Sequence, residues 1–189
     1  MGHKTIWPGS TQLAPVPAAL VGCGNNTDFK YNLITVAWAG IVCSNPPMVS
    51  VSIRPERYSR GLIESTGEFT VNLPTVAMAE TVDYCGMVSG RDMDKFKAAA
   101  LTAKRGSKVA APIVDECPLS LECKVLHSLK LGSHIMYVGE IVAVQVETSL
   151  INASGKFDIA KADILGYAHG NYYGLSKAVG SFGYSIKKK

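Results

Sequence analysis

Apolar and hydroxyl-bearing positions alternate most cleanly over Pro47-Met48-Val49-Ser50-Val51-Ser52-Ile53. Val49, Val51 and Ile53 fall on one side, and Met48, Ser50 and Ser52 on the other. This is the period of a half-buried strand, with the branched residues toward a core and the serines toward something that tolerates hydroxyls. Upstream, the apolar run from Ala18 to Cys23 ends at Gly24 and reads as a strand. Residues 31–44 mix β-branched and aromatic positions and read as another, closed by the turn chemistry of Asn45-Pro46-Pro47. The pattern then changes. Arg60 to Thr66 predicts a short helix, with Ser59 as its N-cap and Gly67 as its stop. Phe69, Val71 and Leu73 mark a strand ended by Pro74, and a helix runs from Thr75 toward Gly86. A polar loop from Ser89 leads into a helical piece packed through Met93, Phe96 and Leu101. Two long strands follow, residues 120–131 and 133–147, with Gly132 at the turn between them.

Strands fill the front and back of the chain and helices sit in the middle. The order is not an alternation of strand and helix, so it predicts a mainly β, antiparallel barrel with inserted helices rather than a doubly wound sheet. The Gly- and Tyr-rich residues 165–189 read as an ordered but irregular C-terminal arm.

Composition narrows the function classes. The chain has 189 residues, 47% hydrophobic and 18% charged, enough for a substantial core. Its net charge of +4 is dispersed, and the dense basic run Lys187–Lys189 reads as a solvated tail. The strands carry Ser and Thr with few cations, so no nucleic-acid partner is expected. The apolar stretch Leu33–Cys43 is too short to cross a bilayer, and the N-terminus lacks an apolar signal core, which predicts no membrane association. Five cysteines without a C-x-x-C pair point to a reduced, cytoplasmic chain. The four histidines lack metal-ligand spacing, so no metal is expected. Serine-hydrolase and P-loop signatures are absent, and Gly22–Thr27 fails the dinucleotide fingerprint at its third glycine position.

What remains is anion binding. Arg54, Arg57 and Ser59 cluster where a helix begins, and Ser89, Gly90, Arg91 and Lys95 form a second cluster. Helix N-termini and arginines both favour phosphate. Arg54 continues the alternation of Ser50 and Ser52 and is preferred over Arg57, which lies past Pro55 in the turn. Trp38 is a candidate cover for a planar ring.

Residues 32–63, followed by "GEFTVNLP", "SGRDMDKF" and "GSHIMYVGEIVAV", resemble the flavin reductase-like FMN-binding proteins, and within them the flavoredoxin-like branch. The resemblance implies a split β-barrel over residues 1–189 that binds FMN noncovalently as a homodimer. It places Asn32, Thr35, Val36, Ala37 and Trp38 along the isoalloxazine and ribityl chain. Ser50, Val51, Ser52 and Ile53 meet the ring edge and ribityl hydroxyls, and Arg54, Ser59, Ser89 and Lys95 lie on the phosphate side. His134 corresponds to a catalytic histidine near the nicotinamide site, but Ser133 stands where the family carries Asp. The implied function is an FMN-dependent oxidoreductase, with NAD(P)H or a protein as electron donor and a small molecule or protein as acceptor. The alternative is a non-enzymatic FMN electron carrier or flavin store. Cys43 either approaches the ring or packs.

Overall fold

The structure, a computed structural model, describes residues 2–186; the lysine run 187–189 lies outside them. The first half contains β1 (Val16–Pro17), β2 (Ala19–Cys23), β3 (Asn32–Val36), β4 (Ala39–Ser44), β5 (Pro47–Ile53), α1 (Tyr58–Thr66) and β6 (Glu68–Leu73). The second half contains α2 (Ala79–Met87), α3 (Lys95–Ala98), β7 (Ala103–Arg105), β8 (Pro112–Val114), β9 (Leu119–Leu131), β10 (His134–Val146), β11 (Leu165–Ala168) and β12 (Asn171–Gly174).

Seven strands form one antiparallel sheet in the order β3-β2-β6-β9-β10-β5-β4. The two edge strands, β3 and β4, are consecutive in the chain and separated only by Ala37 and Trp38. Two residues span under about 8 Å, so the sheet must curl until its edges meet. The Ser52 N–H donates to the Trp38 carbonyl at 2.9 Å and ties β5 to that corner. This is why residues 31–44, continuous in apolar content, are two strands rather than the expected one.

The alternation in β5 holds: Val49, Val51 and Ile53 are buried in the barrel, with Ala19, Val21, Ile34, Phe69 and Tyr137. At β10 a Cβ on Gly139 would sit 2.7 Å from the Phe69 ring, so only glycine lets that ring fill the interior. β2 is buried on both faces. Its Leu20, with Leu33 of β3, faces outward under a second core of Val82, Cys85, Phe96, Val114 and Leu165. Helices α2 and α3 therefore cover the β3 side of the barrel, and their connecting loop lies against the first residue of β3.

Other expectations change. Ser59 is not a cap: α1 begins one residue before it, and the N-cap is Arg57, whose side chain makes no capping bond. Gly67 does stop the helix, at φ 66°, with its N–H on the Ile63 carbonyl. Past Ala98 the chain forms β7 paired with β8, where helix was expected. The arm opens as an ordered hairpin, β11–β12, joined to β1 in a three-stranded sheet. Gly132 sits at the β9–β10 turn as expected, with φ 48°.

Candidate functional site

Two neighbouring cavities open along the seam between β3 and β5. The first, about 580 Å³, is lined by Asn32 and Ile34 of β3, by residues 56–59 entering α1, by residues 88–92 after α2, and by Lys95. The second, about 230 Å³, is lined by Ile34 through Trp38, by Ser52–Arg54, and by Arg57, His134 and Tyr167. Ile34 and Arg57 belong to both walls.

The first cavity is built for an anion. Three cations, Arg57, Arg91 and Lys95, line it against two acids, Glu56 and Asp92. The first turn of α1 carries no acidic residue and no side-chain cap, so the positive end of the helix dipole and its free N–H groups are uncompensated. Lys95 is only 4% exposed and its Nζ donates to the Cys85 carbonyl at 2.7 Å. Burial lowers its pKa, and Arg57 adds to that effect. The nearby thiols do not neutralise it: burial pushes Cys23 up to about 11 and raises Cys85 as well. A buried ammonium with one backbone acceptor is costly unless an anion joins it.

Buried hydrogen bonds set the shape of this cavity. Asn32 donates through Nδ2 to the Ser59 hydroxyl at 2.8 Å, locking β3 to the start of α1. A Cβ on Gly90 would lie 2.0 Å from the Asn32 carboxamide oxygen, so the loop reaches this strand only through glycine. Ser89 accepts from the Arg91 N–H at 3.2 Å. The Arg91 guanidinium lies 5.6 Å from the Tyr58 ring centroid.

The second cavity is narrower and flanked by Trp38, which is 40% exposed. His134 begins β10 at its mouth, with Nδ1 2.8 Å from the Ser133 hydroxyl. Serine thus supplies the imidazole with a hydrogen-bond partner.

The fourteen expected residues sort as follows. Asn32, Ser59, Ser89 and Lys95 line the anion cavity. Thr35, Val36, Ala37, Trp38, Ser52, Ile53, Arg54 and His134 line the narrower one. Val51, buried in the barrel core, reaches neither. Nor does Ser50, whose hydroxyl donates to the Gly40 carbonyl at 3.3 Å and which borders a separate apolar hollow beside Leu13. Arg54 lines the narrower cavity beside Ser52 and contacts Glu56 at 3.9 Å, while Arg57 lines both cavities. Gly90 and Arg91 of the second cluster also line the anion cavity, and so does Tyr58, for which the "RY" pair at the helix start was the available signal. Tyr167 enters from β11, a distant pairing with no local signal.

A barrel closed at a β3–β4 corner, with a helix-capped anion pocket on its seam, defines a class: the split-barrel flavoproteins. The fold agrees with solved members. Flavoredoxin of Desulfovibrio vulgaris (Miyazaki F) superposes with a TM-score of 0.91 at 34% identity, covering 98% of this chain and all of that one. Residues 12–176 match the family described as "Flavin reductase like domain", and the chain belongs to that family. An uncharacterized protein of Archaeoglobus fulgidus is 35% identical over 61% of this chain, which spans 65% of that protein's length. The FMN reductase (NADH) RutF of Stutzerimonas stutzeri is 27% identical over 74% of this chain and 73% of its own. Among the described residues, no helix is long and apolar enough to cross a membrane.

Proposed function

We propose that this chain binds FMN noncovalently and acts as an oxidoreductase, accepting reducing equivalents from NAD(P)H or a protein and passing them to a small molecule or protein. The observation that carries this reading is the buried Lys95 ammonium in one cavity with the uncapped start of α1, next to a narrower cavity flanked by Trp38 that shares Ile34 and Arg57 with it. The residues fit the cofactor. Arg57, Lys95, Ser59 and the first N–H groups of α1 would hold the phosphate. The strand Thr35–Trp38 and the stretch Ser52–Ile53 would flank the ring. When bound, the isoalloxazine supplies hydride and single-electron transfer. The chain's own part is to bind it, orient it and exclude water, with no side-chain base required. His134 stands at the mouth, where an incoming donor or acceptor would pass.

The reading extends to a homodimer, supported by large apolar residues left exposed on the terminal arms: Ile6 at 96% and Val179 at 92%. Sedimentation at micromolar concentration should give twice the chain mass.

The visible spectrum of the purified protein, and identification of the chromophore released on denaturation, test FMN binding directly. Arg57→Ala should weaken FMN by about tenfold, the loss of one charge-assisted contact, and Arg54→Ala by no more than about threefold. Equal affinity of Arg57→Ala and the parent would remove the phosphate assignment. A steady-state assay of NADH and NADPH oxidation with an added acceptor separates an enzyme from a passive electron carrier or flavin store.

A further inference from the structure

A further cavity, about 290 Å³, shares Thr35, Ala37 and Tyr167 with the narrower one. Its charge is opposite to that of the anion cavity. Asp83 lines it, and no lysine, arginine or histidine among the described residues does. Asp83 makes no ion pair among the described residues. Its Oδ1 accepts from the Tyr172 hydroxyl at 3.0 Å. Tyr172 and Tyr167 both line the cavity, with ring centroids 5.7 Å apart and planes tilted by 65°. Burial, and then the hydrogen bond to Asp83, pushes the Tyr172 phenol up to about 12, so it stays protonated and keeps donating.

The elements that build this cavity carry the same bias. Helix α2 holds two acids, Glu80 and Asp83, and no lysine or arginine. Strand β3 and the hairpin β11–β12 carry no acid, lysine or arginine. Gly86 and Met87, at the end of α2, also line the cavity, and the last turn of that helix has no basic residue. The negative end of its dipole therefore adds to the carboxylate. Lys95 takes the Cys85 carbonyl but does not line this cavity. In a chain of net charge +4 this is a local reversal of sign. Carboxylate and helix end both repel anions, whereas aromatic faces attract cations and a carboxylate pairs with them.

We propose that this cavity binds a small organic cation, an alkylammonium whose charged nitrogen lies against the Tyr167 and Tyr172 rings and the Asp83 carboxylate. The two tyrosines select an organic cation over a metal ion, because they offer ring surface as well as charge. The site is built wholly from side chains of this chain, so the proposal stands whether or not the flavin reading does.

The test is calorimetric titration of the purified protein, at constant ionic strength, with choline and with 3,3-dimethylbutan-1-ol, which has the same shape without the charge. Choline should bind at least about tenfold more tightly than the alcohol. Asp83→Asn, which keeps an acceptor for Tyr172 and removes the charge, should weaken choline by at least about fivefold and leave the alcohol unchanged. Tyr172→Leu should weaken choline by at least about fivefold, and Tyr172→Phe, which keeps the ring, by no more than about twofold. Glu80→Gln removes the same charge from the same helix outside the cavity and should change choline binding by less than about twofold. Equal binding of choline and the alcohol in the parent overturns the proposal, since the cavity would then be an apolar hollow. So does no binding of either compound, a Tyr172→Leu variant that binds choline as the parent does, or an equal loss in Glu80→Gln and Asp83→Asn, which would show only the general field of α2.

Discussion

Lys95→Met should cost the protein most of its grip on FMN, weakening binding by between about tenfold and a hundredfold while the apo fold survives. A hydrogen bond to a charged group is worth about 1.5–3 kcal/mol, which corresponds to that range. Lys95 is nearly enclosed, 4% exposed, so solvent does little to screen it. Methionine keeps the length and apolar stem and removes the charge. Its one structural cost is the Cys85 carbonyl, which loses the donor it has at 2.7 Å. Isothermal titration with FMN and with riboflavin separates the two effects, because riboflavin lacks the phosphate. The ratio of the two affinities should collapse in Lys95→Met. A ratio equal to the parent's would mean that Lys95 does not meet the phosphate.

The same residue predicts a pH profile. Burial lowers the Lys95 pKa from its ordinary 10.5. An anion favours the protonated form, so FMN binding must weaken as pH rises through the lowered free-state value, earlier than an ordinary lysine would dictate. Lys95→Arg, which keeps its charge throughout this range, should flatten the alkaline limb. The comparison belongs above about pH 7.5, where the phosphate's own second ionisation near 6 is complete.

Much of this was legible in the chain. The β5 face could be read because its two sides meet different surroundings, core for Val49, Val51 and Ile53 and the seam for Ser52. Lys95 was legible as a member of the second cationic cluster, which does line the cavity, though its depth was not, because burial of a lysine follows from how α2 and α3 dock. The break at Ala37–Trp38 was hidden because sheet closure, and not a turn residue, makes it. Ser59 looked like a cap because serine caps helices often. In fact Asn32 takes its hydroxyl from across the barrel, and the helix start is left open for a ligand. Strand parity put Arg54 on the side of Ser52, where both line the narrower cavity, but parity says nothing of Arg57, which lines both. β7 was missed because its Ala-Lys-Arg sequence has no strand character of its own; it exists because β8 is there to pair with it.

The second large effect lies away from the site. Glu122→Ala or Glu122→Gln should destabilise the fold by about 3 kcal/mol or more. Glu122 is fully buried in β9, makes no ion pair among the described residues, and is surrounded by donors instead. One carboxylate oxygen accepts from the Ser107 N–H, the Ser107 hydroxyl and the Gln145 amide; the other accepts from the Lys108 and Val109 N–H groups. A Cβ on Gly106 would come within 2.8 Å of it, so the loop wraps closely enough to need glycine. Glutamine is nearly isosteric, yet either orientation turns an NH₂ toward at least two donors, so it should fail almost as badly as alanine. Burial opposes ionisation here, but the donors from Gln145, Lys108 and Ser107 outweigh it and hold the carboxyl down to about 2, against an ordinary 4.5. A depressed carboxylate contributes stability that is fully present above 4.5 and lost as pH falls toward 2. For a shift of this size that contribution is about 3 kcal/mol. Urea unfolding at pH 7 and at pH 3 checks both halves. The parent should lose stability between these values. The Glu122→Gln variant should start lower and lose less, because its side chain has no proton to gain. A variant as stable as the parent at pH 7 would show that the 106–111 loop docks without this carboxylate.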